Sequence, residues 1–232
     1  MPGPPDHAAI ILAGGRSSRL GGVPKALLLA DGKTLLETTL AAVPDARPVC
    51  VAGPPELAPL LARSAPEAVL VREEPAFGGP AAAVAAGILA MTDPPEWTLV
   101  LACDMPGIAA AIETLLCSAT GSESLLAVDA EGYMQPLAGI YRTADLLSAV
   151  NVPAPGQLTN MSMKGLLARV QWRGVQVSPM STADVDTWAD ATSLGVSATD
   201  MQQQSLRHGP SEAKEHEWQA SRNNSKHGAA GC

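Results

Sequence analysis

Residues 10–28 read Ile-Ile-Leu-Ala-Gly-Gly-Arg-Ser-Ser-Arg-Leu-Gly-Gly-Val-Pro-Lys-Ala-Leu-Leu. Two adjacent glycines, Gly14 and Gly15, follow an apolar run, and three cations, Arg16, Arg19 and Lys25, come soon after. Such residues can bind phosphate. Glycine lets the backbone approach a ligand with no Cβ in the way, and loop N–H groups ahead of a helix attract anions. Arg binds phosphate oxygens as a planar fork and Lys as a point charge. The spacing is not that of the commoner phosphate loops. Five residues separate Gly15 from Gly21, Ala26 follows Lys25, and no Gly-x-Gly-x-x-Gly is present. An ordinary strand-to-helix turn carrying surface cations fits the same residues.

The carboxylates offer a complementary chemistry. Asp104 follows the continuous apolar run Thr-Leu-Val-Leu-Ala-Cys. A carboxylate at the carboxyl end of a buried parallel strand sits where open α/β sheets bind ligands, although a helix N-cap uses the same residue type. Asp184 and Asp186 form a late pair that also suits a capping turn. Magnesium takes one or two protein carboxylates together with substrate phosphates and water; Asp104 and Asp186 would meet that need, with Asp184 in reserve. The four histidines, at 7, 208, 216 and 227, all lie outside these stretches, so a His-dependent hydrolase or acyl transferase is hard to build. Ser17 and Ser18 have no base partner in view.

The remaining totals narrow the class. The 232 residues carry a net charge of −8 and only 3 % aromatic residues. A broad electrostatic grip on nucleic acid and a base-stacking platform for single strands are therefore not expected. The opening Met-Pro-Gly-Pro-Pro-Asp-His-Ala-Ala is proline-rich and polar, unlike a secretory signal, and no apolar run reaches the ~20 residues that span a bilayer. The expectation is a cytoplasmic protein without a membrane anchor. Cys50, Cys103 and Cys117 lie in apolar surroundings and read as small buried side chains of a reducing compartment.

Elements that must position these residues alternate along the chain. Strands are expected at 8–14, 48–54, 68–73 and 97–106, and helices at 34–43, 55–65, 79–91 and 108–119. The strand runs are continuously apolar, which favours a parallel sheet covered on both faces by helices. Beyond residue 124 come a strand, a turn at Glu131-Gly132 and a second strand or extended segment. A short helix at 160–170 and a strand at 175–180 follow, then a loop at 184–195 leading into a helix, with Thr187 as its N-cap. From about Ser197 the chain turns polar and is poor in branched apolar residues, so it cannot offset its ordering entropy by burial. Residues 1–196 are read as the working domain and 197–232 as a disordered tail.

The stretch Leu-Ala-Gly-Gly-Arg-Ser-Ser-Arg-Leu-Gly-Gly-Val-Pro-Lys-Ala-Leu-Leu resembles the signature of the MobA-like nucleotidyltransferases, which include the molybdenum cofactor guanylyltransferases. Leu20 stands where Met is usual, and Pro24 where Asp is frequent. Five further stretches occur in the order that family requires: Arg72–Ile88, Leu101–Pro106, Tyr133–Arg142, Ser162–Ala168 and Asp184–Ala191. The resemblance covers roughly residues 8–195 and implies a Rossmann-like three-layer α/β/α fold with a mostly parallel central sheet, of the nucleotide-diphospho-sugar transferase type. It implies nucleotide contacts from Leu12, Ala13, Gly14, Gly15, Arg19, Lys25, Glu74, Gly79, Pro80 and Asp104, with Arg19, Lys25 and Asp104 in the chemistry. It implies Mg2+ at Asp104 and Asp186.

The Ala-Gly-Gly form of the loop resembles the guanylyl branch more than the cytidylyl branch. That branch implies GTP and molybdopterin as substrates, and a molybdenum-insertion or target enzyme as partner. Two other readings stay open: a related transferase using CTP or another phosphate acceptor such as a sugar phosphate, and a non-catalytic nucleotide-binding module.

Overall fold

A computed structural model describes residues 3–15, 17–151 and 157–198. Arg16, residues 152–156 and the sequence read above as a polar tail beyond Ala198 lie outside the described residues. The strands are β1 (His7–Leu12), β2 (Leu29–Ala30), β3 (Lys33–Thr34), β4 (Val49–Ala52), β5 (Val69–Val71), β6 (Trp97–Ala102), β7 (Ser124–Val128), β8 (Met134–Arg142), β9 (Trp172–Gln176) and β10 (Val196–Ser197). The α-helices are α1 (Leu35–Ala41), α2 (Ala58–Ser64), α3 (Pro80–Leu89), α4 (Ile108–Ser118), α5 (Thr143–Asn151), α6 (Met163–Leu167) and α7 (Trp188–Ser193).

Seven strands form the central sheet in the order β5-β4-β1-β6-β8-β7-β9. Strand β8 alone runs against its neighbours; the other pairings are parallel. The continuous apolar strands follow from burial on both faces. Along β1, Ala9 and Ile11 enter a core with residues of α1, α2 and α4, while Ile10 and Leu12 enter one with residues of α3, α5 and α6. Both sets are excluded from water, so alternation disappears. Helix α3 comes very close to β1. A Cβ on Gly87 would meet Ile10 Cγ2 at 2.7 Å, so only glycine allows that approach without a shift.

Helix α1 is secured at its start by a reciprocal cap. Thr34 Oγ1 accepts from the Glu37 N–H, and Glu37 Oε2 accepts from the Thr34 N–H. Glu37 Oε1 also accepts from Ser64 Oγ at 2.7 Å. The Ser64 bond, then the Thr34 N–H, hold the Glu37 carboxyl at a pKa of about 2. A carboxyl whose folded pKa lies below its ordinary value of 4.5 stabilises above that value and ceases to do so as pH falls toward 2. Glu37→Gln preserves the cap geometry and removes the charge. It is expected to cost about 1 kcal/mol at pH 7, with the gap to wild type closing by pH 2, as urea midpoints at the two pH values will report.

Several elements differ from the sequence expectation. The strand expected at 175–180 is β9, displaced upstream to Trp172–Gln176, because Trp172 to Gln176 pair with Ser124 to Val128 and the chain leaves the sheet before Pro179. Helix α5 carries apolar positions at Leu146, Ala149 and Val150 and has no counterpart in the expected elements. A small second sheet, in the order β10-β2-β3, is new as well. Its hairpin turns at Asp31-Gly32, where both residues have positive φ (50° and 77°), the geometry of a type I′ turn. Cys50 and Cys103 are buried, but Cys117 is exposed, because the side of α4 it occupies is not covered.

Candidate active site

The carboxyl ends of β1, β4 and β6 open into a cleft of about 370 Å³, within the size range of small-molecule sites. Hydrogen bonds between strand ends define its floor. Ala13 N–H donates to Ala52 O, and Cys103 N–H to Leu12 O. Leu12, Ala13, Gly14, Gly15, Lys25, Gly79, Pro80 and Asp104 line it.

Gly15 sits at φ +140°, a conformation that favours glycine. Among the described residues, no acceptor takes the N–H of Gly14 or Gly15. A compact turn follows, in which Leu20 and Gly22 N–H both donate to Ser17 O, and it brings Arg19 and Lys25 back toward Asp104. The loop therefore presents two amides without a described acceptor and the Lys25 ammonium to the cleft, with Arg19 beside it through Asp186.

Lys25 is the centre of the charges. Its Nζ donates to Asp104 Oδ2 at 2.8 Å and to Asp186 Oδ1 at 2.6 Å. Arg19 Nη1 reaches Asp186 Oδ2 at 3.3 Å. The side chains of Lys25 and Asp104 are 21 % and 17 % exposed, that of Asp186 47 %. Burial alone would lower the Lys25 pKa, but Asp104 and Asp186 outweigh it and the net direction is up. Asp184 completes a set of three: carboxylate oxygens of Asp104, Asp184 and Asp186 all lie within 4.8 Å of one another. Burial first, then the Asp104 and Asp186 charges, raise the Asp184 pKa. Against Lys25 and Arg19 these three carboxylates leave one negative charge over.

The loop carrying Asp184 and Asp186 is anchored at both ends. Val185 N–H donates to Asp104 O at 3.0 Å. Asp190 Oδ2 accepts from the N–H groups of Asp186 and Thr187, and Thr187 caps α7. An all-oxygen, carboxylate-rich donor set suits a hard divalent cation such as magnesium or manganese. The Lys25 ammonium bonds one oxygen of Asp104 and one of Asp186, so it stands beside the position such a cation would take.

Three of the expected site residues sit apart from the cleft wall. Arg19 and Asp186 join the site through the ion pairs only. Glu74 is exposed and does not line the cleft; its neighbour Glu73 does, together with Ser17, Ala52, Phe77, Ala83, Cys103 and Leu137. His7, at the opposite end of β1, is buried, with Nδ1 beside Pro5 O, and stands away from the cleft. Burial pushes the Cys103 thiol pKa strongly up, so this cysteine is no nucleophile. A larger groove of about 680 Å³, lined by Leu40, Val43, Arg47 and Pro66 among others, lies at the opposite ends of β4 and β5 and holds none of these groups.

A mostly parallel sheet with a glycine loop and strand-end carboxylates at one edge defines an α/β protein of the nucleotide-diphospho-sugar transferase fold. The chain belongs to the MobA-like NTP transferase family, whose model matches residues 9–169. It is 29 % identical over 135 residues to the molybdenum cofactor guanylyltransferase of Vibrio cholerae serotype O1, a match spanning 58 % of this chain and 64 % of that protein. In fold it is similar to the molybdopterin-guanine dinucleotide biosynthesis protein A of Archaeoglobus fulgidus (TM-score 0.62, 18 % identity, 81 % of this chain and 96 % of that one). It is similar as well to the 2-C-methyl-D-erythritol 4-phosphate cytidylyltransferase of Thermus thermophilus (TM-score 0.60, 21 % identity, 82 % and 97 %).

Proposed function

We propose that this chain transfers GMP from GTP to the phosphate of molybdenum-molybdopterin, releasing pyrophosphate and forming molybdopterin guanine dinucleotide. The observation that carries the transferase reading is the Lys25 ammonium bridging Asp104 and Asp186 at the mouth of a loop with two free amides. The choice of guanine and of molybdopterin rests on the likeness to the Vibrio cholerae enzyme and on the Ala-Gly-Gly form of the loop.

In this reading the amides of Gly14 and Gly15, with Lys25 and Arg19, hold the triphosphate. An oxygen of the acceptor phosphate attacks the α-phosphorus. The bond from that phosphorus to the α,β-bridging oxygen breaks, and pyrophosphate leaves with the electron pair. The acceptor phosphate is already an anion near neutral pH, its second pKa being about 6, so no side chain has to take a proton. That agrees with a cleft approached by no histidine among the described residues. Lys25 and Arg19 face the charge that builds on the phosphates, in a partly buried setting that strengthens their effect. Asp104 and Asp186, with Asp184 beside them, would hold Mg2+, which when bound supplies a Lewis acid for the α-phosphate and the leaving group. Residues 1–196 carry this function, 197–232 are appended to it, and the enzyme works in the cytoplasm.

Pyrophosphate release with Mg2+, molybdenum-molybdopterin and either GTP or CTP tests the substrate assignment. Turnover with GTP at least tenfold above CTP is expected. A preference for CTP would move the chain to the cytidylyl chemistry named for the Thermus thermophilus relative, and a reaction only with a sugar phosphate would replace the acceptor.

A further inference from the structure

The carboxylate of Asp186 takes its direction from a residue that does not line the cleft. Its two oxygens serve different cations: Oδ1 accepts from Lys25 Nζ at 2.6 Å and Oδ2 from Arg19 Nη1 at 3.3 Å. An aspartate side chain has one staggered torsion, so its carboxylate goes where the backbone φ and ψ and that single choice send it. For Asp186 the two backbone angles depend on the peptide planes on either side of its Cα, and one atom holds both planes. Asp190 Oδ2 accepts from the Asp186 N–H at 3.2 Å and from the Thr187 N–H at 2.7 Å. It accepts from the Thr187 hydroxyl as well, at 2.8 Å. The plane before these, between Asp184 and Val185, is tied to the end of β6, because Val185 N–H donates to Asp104 O.

Capping of α7 does not require this much. In a capping box the third helical residue accepts from the N–H of the cap residue; here that pair is Asp190 and Thr187. The box that starts α1 stops there. Glu37 Oε2 takes the N–H and the hydroxyl of Thr34, and among the described side-chain bonds Glu37 takes nothing from Lys33. Asp190 has the shorter side chain, yet its oxygen reaches one residue further back, to the amide of Asp186. That additional bond serves the loop and not the helix. Two successive amides converging on one anionic oxygen fix the backbone between them. We propose that Asp190 is a positioning residue for the divalent-cation site: by holding the backbone on both sides of Asp186, it keeps the Asp186 carboxylate within the 4.8 Å that gathers it with Asp104 and Asp184. This inference rests on the nucleotidyltransferase reading above, in which these carboxylates hold Mg2+.

Two substitutions separate placement from charge and from capping. Asp190→Asn keeps an acceptor oxygen where the three donors meet and loses the charge. Asp190→Glu keeps the charge and a residue type that serves in a capping box, as Glu37 does for α1, but carries its oxygens one methylene further out. The measurement is titration of the full-length chain with Mn2+, with and without GTP, followed by electron paramagnetic resonance, with circular dichroism to verify that each variant is folded. Groups that orient metal ligands alter metal affinity roughly 10- to 100-fold when they are changed. The expected result is a loss of about tenfold or more for Asp190→Glu, and a loss within about fivefold for Asp190→Asn, the effect of removing one charge at a distance. Any other order overturns the proposal. A loss in Asp190→Asn equal to or larger than that in Asp190→Glu assigns the effect to charge. No loss in either variant leaves Asp190 as a helix cap and nothing more. Wild-type protein that binds no Mn2+, with or without GTP, removes the cation site and this role with it. Mn2+ binding in the expected order without pyrophosphate release keeps Asp190 in this role and removes the transferase reading instead.

Discussion

Replacing Asp104 by Asn is expected to slow pyrophosphate release on the order of 10³-fold, the largest effect of any substitution in this chain. Asp104 follows β6 and lines the cleft, is mostly buried, and accepts from Lys25. Its backbone oxygen accepts from Val185 N–H, which ties the Asp184–Asp186 loop to the strand end. Asn preserves the shape and that backbone bond but carries no charge. It therefore removes one of the carboxylates that would hold a divalent cation, and one partner of Lys25, without moving the loop. A cation that polarises a phosphoryl oxygen is worth several kcal/mol of transition-state stabilisation, and about 4 kcal/mol corresponds to a factor near 10³. The drop should appear in kcat, with a parallel loss of Mn2+ affinity seen by electron paramagnetic resonance. Near-wild-type turnover would remove Asp104 from the chemistry. Nucleotide binding with no turnover in the wild type itself would favour the non-catalytic module.

Lys25→Ala is expected to move two affinities in opposite directions. In the free protein the ammonium lies between Asp104 and Asp186 at 2.8 and 2.6 Å. It is thus the internal counterion of the group that would hold a divalent cation. Without it those carboxylates keep their charge with less compensation, and Mn2+ affinity in the absence of nucleotide should rise on the order of tenfold. Triphosphate affinity should fall, because a charge-assisted phosphate contact worth roughly 1.5–3 kcal/mol is lost, about 10- to 150-fold in Kd. The Lys25 pKa is raised above 10.5, so the ammonium is charged in both the folded and the unfolded chain below that pH. On the lysine side the pairs are lost as pH rises through the raised value. Mn2+ affinity that is unchanged or weaker in Lys25→Ala would show that the bridging contact does not compete with the cation.

The glycine loop and Asp104 stood out in the sequence because each is contiguous with the strand that precedes it. A run of apolar residues followed by Gly14-Gly15, or by Cys103-Asp104, specifies both the strand end and the group placed on it. Asp186 came from the resemblance of Asp184–Ala191 to a late loop of the family; from the residues alone the Asp184 and Asp186 pair suited a capping turn equally, and in the structure Thr187 caps α7. What the sequence did not disclose depended on contacts distant along the chain. Whether Glu73 or Glu74 faces the cleft is settled by a loop whose Phe77 has positive φ and whose Gly78 bonds Asn160. The register of β9 is set by β7, nearly fifty residues earlier, and the hydropathy of Trp172-Arg173-Gly174 does not mark an edge strand. The β2–β3 hairpin is too short for periodicity, although Asp31-Gly32 is the turn signal that would have found it. Cys117 illustrates the remaining limit: apolar neighbours in sequence do not determine which side of a helix is covered.

The transfer chemistry itself is tested most directly by following the α-phosphate. The chain is incubated with GTP labelled with ³²P at the α position, Mg2+ and molybdenum-molybdopterin, and the products are separated. Label in a molybdopterin adduct, with unlabelled pyrophosphate formed in equal amount, is the expected result. Label retained in GTP, or released as free GMP without an adduct, would contradict transfer to molybdopterin by this chain.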